Sequence, residues 1–288
     1  MTGRNWVRQF RAATATFDWQ AVNELSSEYA ARLYAVPVLP ESVSPVLLIL
    51  RQALRYEELE VVADAALAHE RAVPAVRRQY AQALVDGRNP AVALRLYTEL
   101  AADETVSMPE RLEAEGGIGR CYKELYLSCT EPARRRVYLS RSLAAYLTAY
   151  RQDLRSTWHG INAVALLARA GRDGIASSSE SESVDELAEA ILSTVDAVPV
   201  PDQWTEVTAC EAAIALGRYD EAIERAEAFI ETGPEGFTVA AFLRQIQMVW
   251  QLDSKSSPGN ELLPVLRAAL LKFDGGEVTV ESGDVRAT

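Results

Sequence analysis

The chain has 288 residues, of which 49% are hydrophobic, so it has enough apolar side chains for a folded core and is not a disordered polypeptide. Its 29 lysine and arginine residues face 41 aspartate and glutamate residues. The net charge of −12 argues against nucleic acid as the main partner.

The compartment is predicted from the cysteines and from the absence of long apolar runs. Three cysteines form no Cys-x-x-Cys pair, which indicates free thiols in a reducing environment. No apolar run approaches the roughly 18 residues of a membrane span. The first six residues, Met1–Trp6, lack the apolar core of a signal peptide. We therefore expect a soluble, cytoplasmic protein with no membrane partner.

Helical patterns recur from the first residues onward, and strand patterns are almost absent. Residues 5–17 and 19–35 are predicted to form a first helical pair. Ser44 is a predicted cap for the next helix, with Pro45 at its first position, where no N–H is needed. The apolar residues of that helix fall on one face at Val46, Leu47, Leu50 and Leu54.

A recurrent turn separates the helices, and its clearest copy lies at Leu216–Ala222. Gly217 is suited to a left-handed helix end, Tyr219 is predicted to wedge against the helices, and Ala222 is small where two helices cross. This Gly-Tyr-Ala pattern, followed by Pro234, is typical of the tetratricopeptide repeat, whose period is about 34 residues. Further copies occur at Leu54–Leu59, Asp86–Pro90 and Ala170–Asp173.

The second half continues the helical pattern. Ser107 and Glu110 match a capping box that opens a long helix ending near Cys129. Thr157 is predicted to cap a later helix. Further helices are expected over residues 133–151, 184–198, 236–253 and 260–273, and residues 202–233 are expected to form the clearest repeat, a pair of helices around the turn at Gly217.

These elements predict an all-α fold, an α-α superhelix of tetratricopeptide-like helical hairpins, over residues 1–273. Residues 1–40 are assigned to capping helices, and the acidic, serine-rich segment 174–183 to a mobile loop. Residues 274–288 are assigned to a flexible tail. Within it Glu277–Glu281 alternates like a strand, which would either dangle, as we expect, or pair with a partner's sheet edge.

Two motifs go beyond a generic helix: Gly119–Tyr126 and Ser156–Leu167. Together they resemble the TRAF-binding central region of the apoptosis signal-regulating kinases and its bacterial relatives, over roughly residues 45–230. The resemblance implies a tetratricopeptide-like solenoid that organises partners in bacterial signalling, stress response or defence. No kinase motif accompanies it.

Catalytic and metal-binding patterns are not found. Gly117-Ile118-Gly119 has no preceding strand and no following Lys-Ser/Thr, so it is not a phosphate loop. The histidines, His69 and His159, do not form a metalloprotease pattern. Cys121 with His159 would lack an oxyanion hole. We therefore expect no enzymatic activity, no metal and no cofactor.

The function predicted is a protein–protein interaction scaffold that binds a partner peptide or helix in its concave groove. The first helix of each hairpin supplies the candidate partner-binding residues: Arg78, Arg120, Lys123, Trp158, Asn162 and Arg169. The arginines would clamp carboxylates of an acidic peptide, or else pair with the surplus acids of neighbouring helices. A homo-oligomer is left open. The alternative function is a sensor that binds a small anionic or nucleotide signal and regulates an effector.

Overall fold

The computed structural model describes residues 5–36, 38–68, 73–175 and 183–271, together with the backbone of 278–281 and 284–287. Within these residues it contains fourteen α-helices and one pair of short strands. The predicted all-α fold of helical hairpins is confirmed. The chain divides into two compact units, residues 1–145 and 146–288. The single solenoid expected over 1–273 stays a prediction.

Unit 1 (residues 1–145) is built from successive antiparallel helices. They are α1 (Trp6–Ala15), α2 (Trp19–Tyr34), α3 (Val43–Gln52), α4 (Tyr56–Leu67), α5 (Pro74–Asp86), α6 (Pro90–Ala102), α7 (Met108–Ser128) and α8 (Pro132–Gln152), which contains the unit boundary. From α3 to α7 each helix packs on the next one along the chain, and α3 also packs on α5 and α5 on α7. This pattern makes α3, α5 and α7 the first helices of stacked hairpins.

Unit 2 (residues 146–288) has a similar arrangement. Its helices are α9 (Thr157–Arg172), α10 (Val184–Asp196), α11 (Gln203–Ala215), α12 (Tyr219–Glu231), α13 (Gly236–Met248) and α14 (Gly259–Leu270). Helix α9 packs on α10 and α11, α11 on α12, and α14 on α12 and α13. The central helix α11 is buried without interruption from Glu206 to Ile214.

The recurrent turn is a Schellman motif, in which the N–H after a left-handed residue bonds the carbonyl five residues earlier. Arg55 donates to Leu50, Asn89 to Leu84 and Arg218 to Ala213 in this way. The left-handed residues before these donors are Leu54, Arg88 and Gly217, with φ of 58°, 64° and 70°. Leu54 therefore lies beyond the helix and is 39% exposed, so its prediction for the apolar face of α3 is wrong.

Three predicted helix caps are also wrong. Ser44 lies inside α3, where its Oγ donates to Gln79 Oε1 at 2.7 Å. Ser107 precedes α7 but makes no side-chain cap bond, and Glu110 accepts from Arg78 instead. Thr157 is the first residue of α9, one position after the N-cap. In the case of Glu110 a contact between hairpins takes the place of the predicted local one.

Two helical glycines allow close helix contacts. A Cβ on Gly117 would lie 2.4 Å from the ring of Tyr97 in α6. A Cβ on Gly160 would lie 2.8 Å from Ile191 Cδ1 and 2.9 Å from the Tyr150 ring. Either position therefore requires a residue with no side chain. The predicted wedge Tyr219, in contrast, is 42% exposed.

The strand-like segment near the end of the chain forms β1 (Val278–Glu281), which pairs antiparallel with β2 (Asp284–Ala287). Val278 lies opposite Ala287 and Glu281 opposite Asp284. The predicted flexible tail over 274–288 stays a prediction. Most of the predicted mobile loop, residues 176–182, lies outside the described residues.

Candidate interaction surface

Three first helices of unit 1 are joined by a ladder of charged side chains. Arg51 of α3 donates through Nε to Asp86 Oδ2 at 2.8 Å, and Arg120 of α7 donates through Nη2 to Asp86 Oδ1. The spacing from Arg51 to Asp86 is 35 residues and from Asp86 to Arg120 is 34. These residues therefore occupy equivalent positions in successive repeats. We call Arg51, Asp86 and Arg120 the charged ladder.

The electrostatics of the charged ladder follow from partial burial. Only 4% of the Asp86 side chain is exposed, against 17% for Arg51 and 23% for Arg120. Burial opposes ionisation of Asp86, but the charges of Arg120 and Arg51 outweigh it and hold the pKa of Asp86 below its usual value. Burial likewise opposes the charge of Arg120, but the negative charges of Asp86 and then Glu124 outweigh it, so the pKa of Arg120 is raised.

A tyrosine from each neighbouring second helix borders the charged ladder. Burial, followed by the charge of Asp86, raises the pKa of Tyr56 in α4. Burial is also the largest cause of the raised pKa of Tyr97 in α6. Both phenols therefore remain neutral and add no charge beside the charged ladder.

A second set of contacts joins the same helices nearer their N-terminal ends. Gln79 Nε2 donates to the Ser44 carbonyl at 3.1 Å and joins α5 to α3. Arg78 donates to Glu110 through Nε at 2.8 Å and Nη2 at 3.3 Å, which is a two-point guanidinium–carboxylate contact between α5 and α7. Arg78 is 22% and Glu110 26% exposed, so this pair is accessible to solvent.

The predicted site residues of unit 1 thus differ in accessibility. Arg78 and Arg120 are ion-paired and partly exposed. Lys123, one turn beyond Arg120 in α7, is buried with 7% exposure. The structure brings Arg120 together with Arg51 through Asp86, and Asp86 was not among the predicted site residues.

The predicted site residues of unit 2 are engaged within that unit. Asn162 is buried and its Nδ2 donates to the Trp158 carbonyl at 2.8 Å, the local backbone bond open to a mid-helix asparagine. Arg169 pairs with Asp173 at 3.0 Å and donates to the Met248 carbonyl. Trp158 packs edge-on against Tyr146, with ring centroids 5.7 Å apart, and keeps 36% of its surface exposed.

Unit 2 also contains a buried polar contact that the sequence analysis missed. Glu211 of α11 is 4% exposed and its Oε2 accepts from Trp250 Nε1 at 2.7 Å and from Gln245 Nε2 at 3.0 Å. The spacing of 34 residues between Glu211 and Gln245 is again one repeat. In both units, searching for polar residues one period apart would have found the contacts.

Two of the three cysteines, Cys121 and Cys210, are buried and have the properties of structural cysteines. Burial raises the pKa of Cys121 to about 12 and the pKa of Cys210 well above its usual value. Cys210 donates to the Ala222 carbonyl at 3.2 Å. Among the described residues, which exclude His69, no group of three or more His, Cys, Asp or Glu side chains is placed to hold a metal ion.

Comparison with known proteins assigns the class of fold. The chain is similar in structure to a thermophilic TPR protein from Thermus thermophilus, with a TM-score of 0.53 and 18% sequence identity, over 72% of this chain and 98% of that one. The family model described as Tetratricopeptide Repeats-Sensor matches residues 55–167. No curated protein matches the chain.

These comparisons identify a tetratricopeptide-like helical-repeat protein of the α-α superhelix class. The matched segment 55–167 contains Asp86 and five of the six predicted site residues, Arg120 among them and Arg169 excepted. No helix within the described residues is long and apolar enough to cross a membrane.

Proposed function

We propose that the chain is a non-catalytic interaction scaffold, and that the first-helix face of unit 1 binds an acidic peptide or helix of a partner. The class of fold supports a binding role, because stacked helical hairpins present extended surfaces. The position of Arg120 on the charged ladder carries the proposal. Its guanidinium lies on the first of the two motifs, Gly119–Tyr126, and at a repeat-equivalent position.

Arg120 combines fixed position with access. Asp86 is the ion-pair partner of Arg120 within the described residues, and the contact uses Nη2. A guanidinium has five N–H donors, and 23% of the Arg120 side chain is exposed, so a carboxylate from outside can reach it. Because Asp86 already fixes the side chain, a partner loses less conformational entropy on binding there. Arg78, 22% exposed, supplies a second guanidinium on the adjacent helix.

The test replaces the planar guanidinium of Arg120 with an ammonium group and keeps the positive charge. In Arg120→Lys the ammonium can still neutralise Asp86, but two-point binding of a carboxylate is lost. We expect capture of partners from native lysate, quantified by mass spectrometry, to fall about tenfold. The control is Arg95→Lys, on the second helix α6, where the side chain is 75% exposed. Equal capture by both variants would exclude Arg120 as a binding residue and leave the scaffold proposal standing.

The sensor remains the second candidate, and the description of the family model that matches residues 55–167 favours it. A small anionic ligand would use the same guanidinium groups. A thermal-shift screen with nucleotides separates the two functions, because a ligand at 100 times its Kd stabilises by about 2.7 kcal/mol. A nucleotide that raises the melting temperature of the wild type, and less that of Arg120→Lys, would favour the sensor.

The wider setting is proposed from the resemblance to the apoptosis signal-regulating kinases. We place the protein in bacterial signalling, stress response or defence, in the cytoplasm. Partner-binding roles for Lys123, Trp158, Asn162 and Arg169 stay predictions. Of these four, Trp158 has the most accessible side chain, which makes it the first to substitute in unit 2.

A further inference from the structure

A shallow groove, open to solvent and about 520 Å³ in volume, lies along the hairpin formed by α1 and α2 in unit 1. The α1 wall consists of Gln9, Ala12 and Ala13 together with Thr16, the residue that follows the helix. Their spacing is i, i+3, i+4 and i+7, so they form one stripe along about two turns of the helix. The small side chains of Ala12 and Ala13 make the middle of this stripe apolar and leave space above it.

The α2 wall has the same spacing. It consists of Ala21, Glu24, Leu25 and Glu28, again at i, i+3, i+4 and i+7. A third helix can lie along the furrow between two packed antiparallel helices, as helices do in bundles. Seven residues at 1.5 Å per residue give a seat about 10 Å long, or two turns of the incoming helix.

The charge of the groove selects the chemistry of the occupant. Asp18, Glu24 and Glu28 line it and are exposed, whereas its lining contains no lysine or arginine. Asp18 caps α2 by accepting from the Ala21 N–H at 3.0 Å, and Glu24 accepts from Gln20 at 3.0 Å, so both carboxylates are held at the rim. A helix with small apolar residues on one stripe and lysine or arginine beside it is complementary to this surface.

We propose that the α1–α2 groove binds a basic amphipathic helix of a partner protein. The site is separate from the charged ladder and has the opposite charge preference. The scaffold then binds an acidic partner at the charged ladder and a basic partner at the α1–α2 groove. The proposal does not depend on Arg120, so the two binding sites succeed or fail separately.

The experiment measures binding of a labelled helical probe to the full chain by fluorescence anisotropy. The probe has about 18 residues, long enough to form a helix in water. Leucine and alanine lie on one stripe, and lysine and arginine lie beside it. A second probe replaces lysine and arginine with glutamate. We expect the basic probe to bind, with affinity that falls as salt increases, and the acidic probe not to bind.

Two pairs of variants locate the binding. Glu24→Lys with Glu28→Lys should weaken binding of the basic probe about tenfold or more. The control, Glu41→Lys with Glu104→Lys, makes the same change in net charge at exposed positions outside the groove and should leave binding unchanged.

A large side chain tests the seat itself. Ala12→Trp fills the groove, whereas Ala15→Trp places the same ring at an exposed position of α1 that does not line it. We expect only Ala12→Trp to abolish binding. Equal loss in both charge variants, or equal binding of the two probes, would overturn the proposal. So would sedimentation showing a wild-type dimer that Glu24→Lys with Glu28→Lys dissociates, because the occupant would then be a second copy of the chain.

Discussion

The contact between α6 and α7 leaves no room for a side chain at residue 117, and this gives the sharpest test of the packing. In Gly117→Ala the new Cβ would lie 2.4 Å from Cε1 of Tyr97, well inside van der Waals contact. Tyr97 is 1% exposed, so its ring has little space into which to move. The two helices must therefore separate, or the ring must leave its rotamer.

The expected magnitude is the difference between two opposing effects. Alanine is favoured over glycine in a helix by about 1 kcal/mol. Overpacking a closely packed core costs about 1–3 kcal/mol. Gly117 is buried against an aromatic ring, so the cost of overpacking should lie in the upper part of that range. After the gain in helix propensity is subtracted, we expect a net loss of about 1–2 kcal/mol in the free energy of unfolding.

Urea denaturation followed by circular dichroism measures this loss, and Gly171→Ala is the matched control. Gly171 is also helical, in the last turn of α9, but a Cβ there would meet no atom within 4 Å. The control should therefore gain about 0.5 kcal/mol from helix propensity alone.

A third variant assigns the loss to the clash. Tyr97→Leu removes the ring, so Gly117→Ala should cost less in that background than in the wild type. If Gly117→Ala is as stable as the wild type, or as stable as Gly171→Ala, the account of the α6–α7 contact is wrong.

Three further predictions concern buried polar groups. Asp86→Asn should lose about 3 kcal/mol of unfolding free energy at pH 7, since two guanidinium groups then lack their carboxylate. Because the pKa of Asp86 is lowered in the folded state, its contribution to the free energy of unfolding is complete above about pH 4 and disappears as the pH falls further. In acid titrations the stability of the wild type should therefore decline more than that of Asp86→Asn. Trp250→Phe should cost about 1–3 kcal/mol in denaturant unfolding, because the buried carboxylate of Glu211 loses a donor; an unchanged midpoint would contradict this. In the native protein a thiol reagent followed by mass spectrometry should modify Cys129 before Cys121, whose pKa is raised to about 12, and early modification of Cys121 would show that its burial is overstated.

Helix positions were predictable because their signals are local. The predicted helices 236–253 and 260–273 compare with Gly236–Met248 and Gly259–Leu270 in the structure. The turn around Gly217 was found because a left-handed residue ends a helix at a fixed distance from the next one. Leu54 adopts the same left-handed conformation without being a glycine, so nothing in the sequence marked the end of α3. Apolar periodicity therefore assigned Leu54 to the helix, although it lies beyond it.

Predicted caps failed where a contact between repeats competes with a local hydrogen bond. A cap bond contributes about 1 kcal/mol, which is no more than a charged contact between helices. Glu110 therefore pairs with Arg78 across the hairpins, whereas Ser44 cannot cap α3 because the helix already begins at Val43.

The amino-acid sequence by itself determined the class of the fold, since the repeat period, the turns and the apolar stripes are set by residues near one another in the chain. It also supplied arginines 78 and 120 as candidates for binding. Only the tertiary structure decided that Asp86 joins Arg51 to Arg120, because stacking brings residues 34 and 35 positions apart to within hydrogen-bonding distance. The same stacking decided which of the candidate side chains remain accessible to a partner.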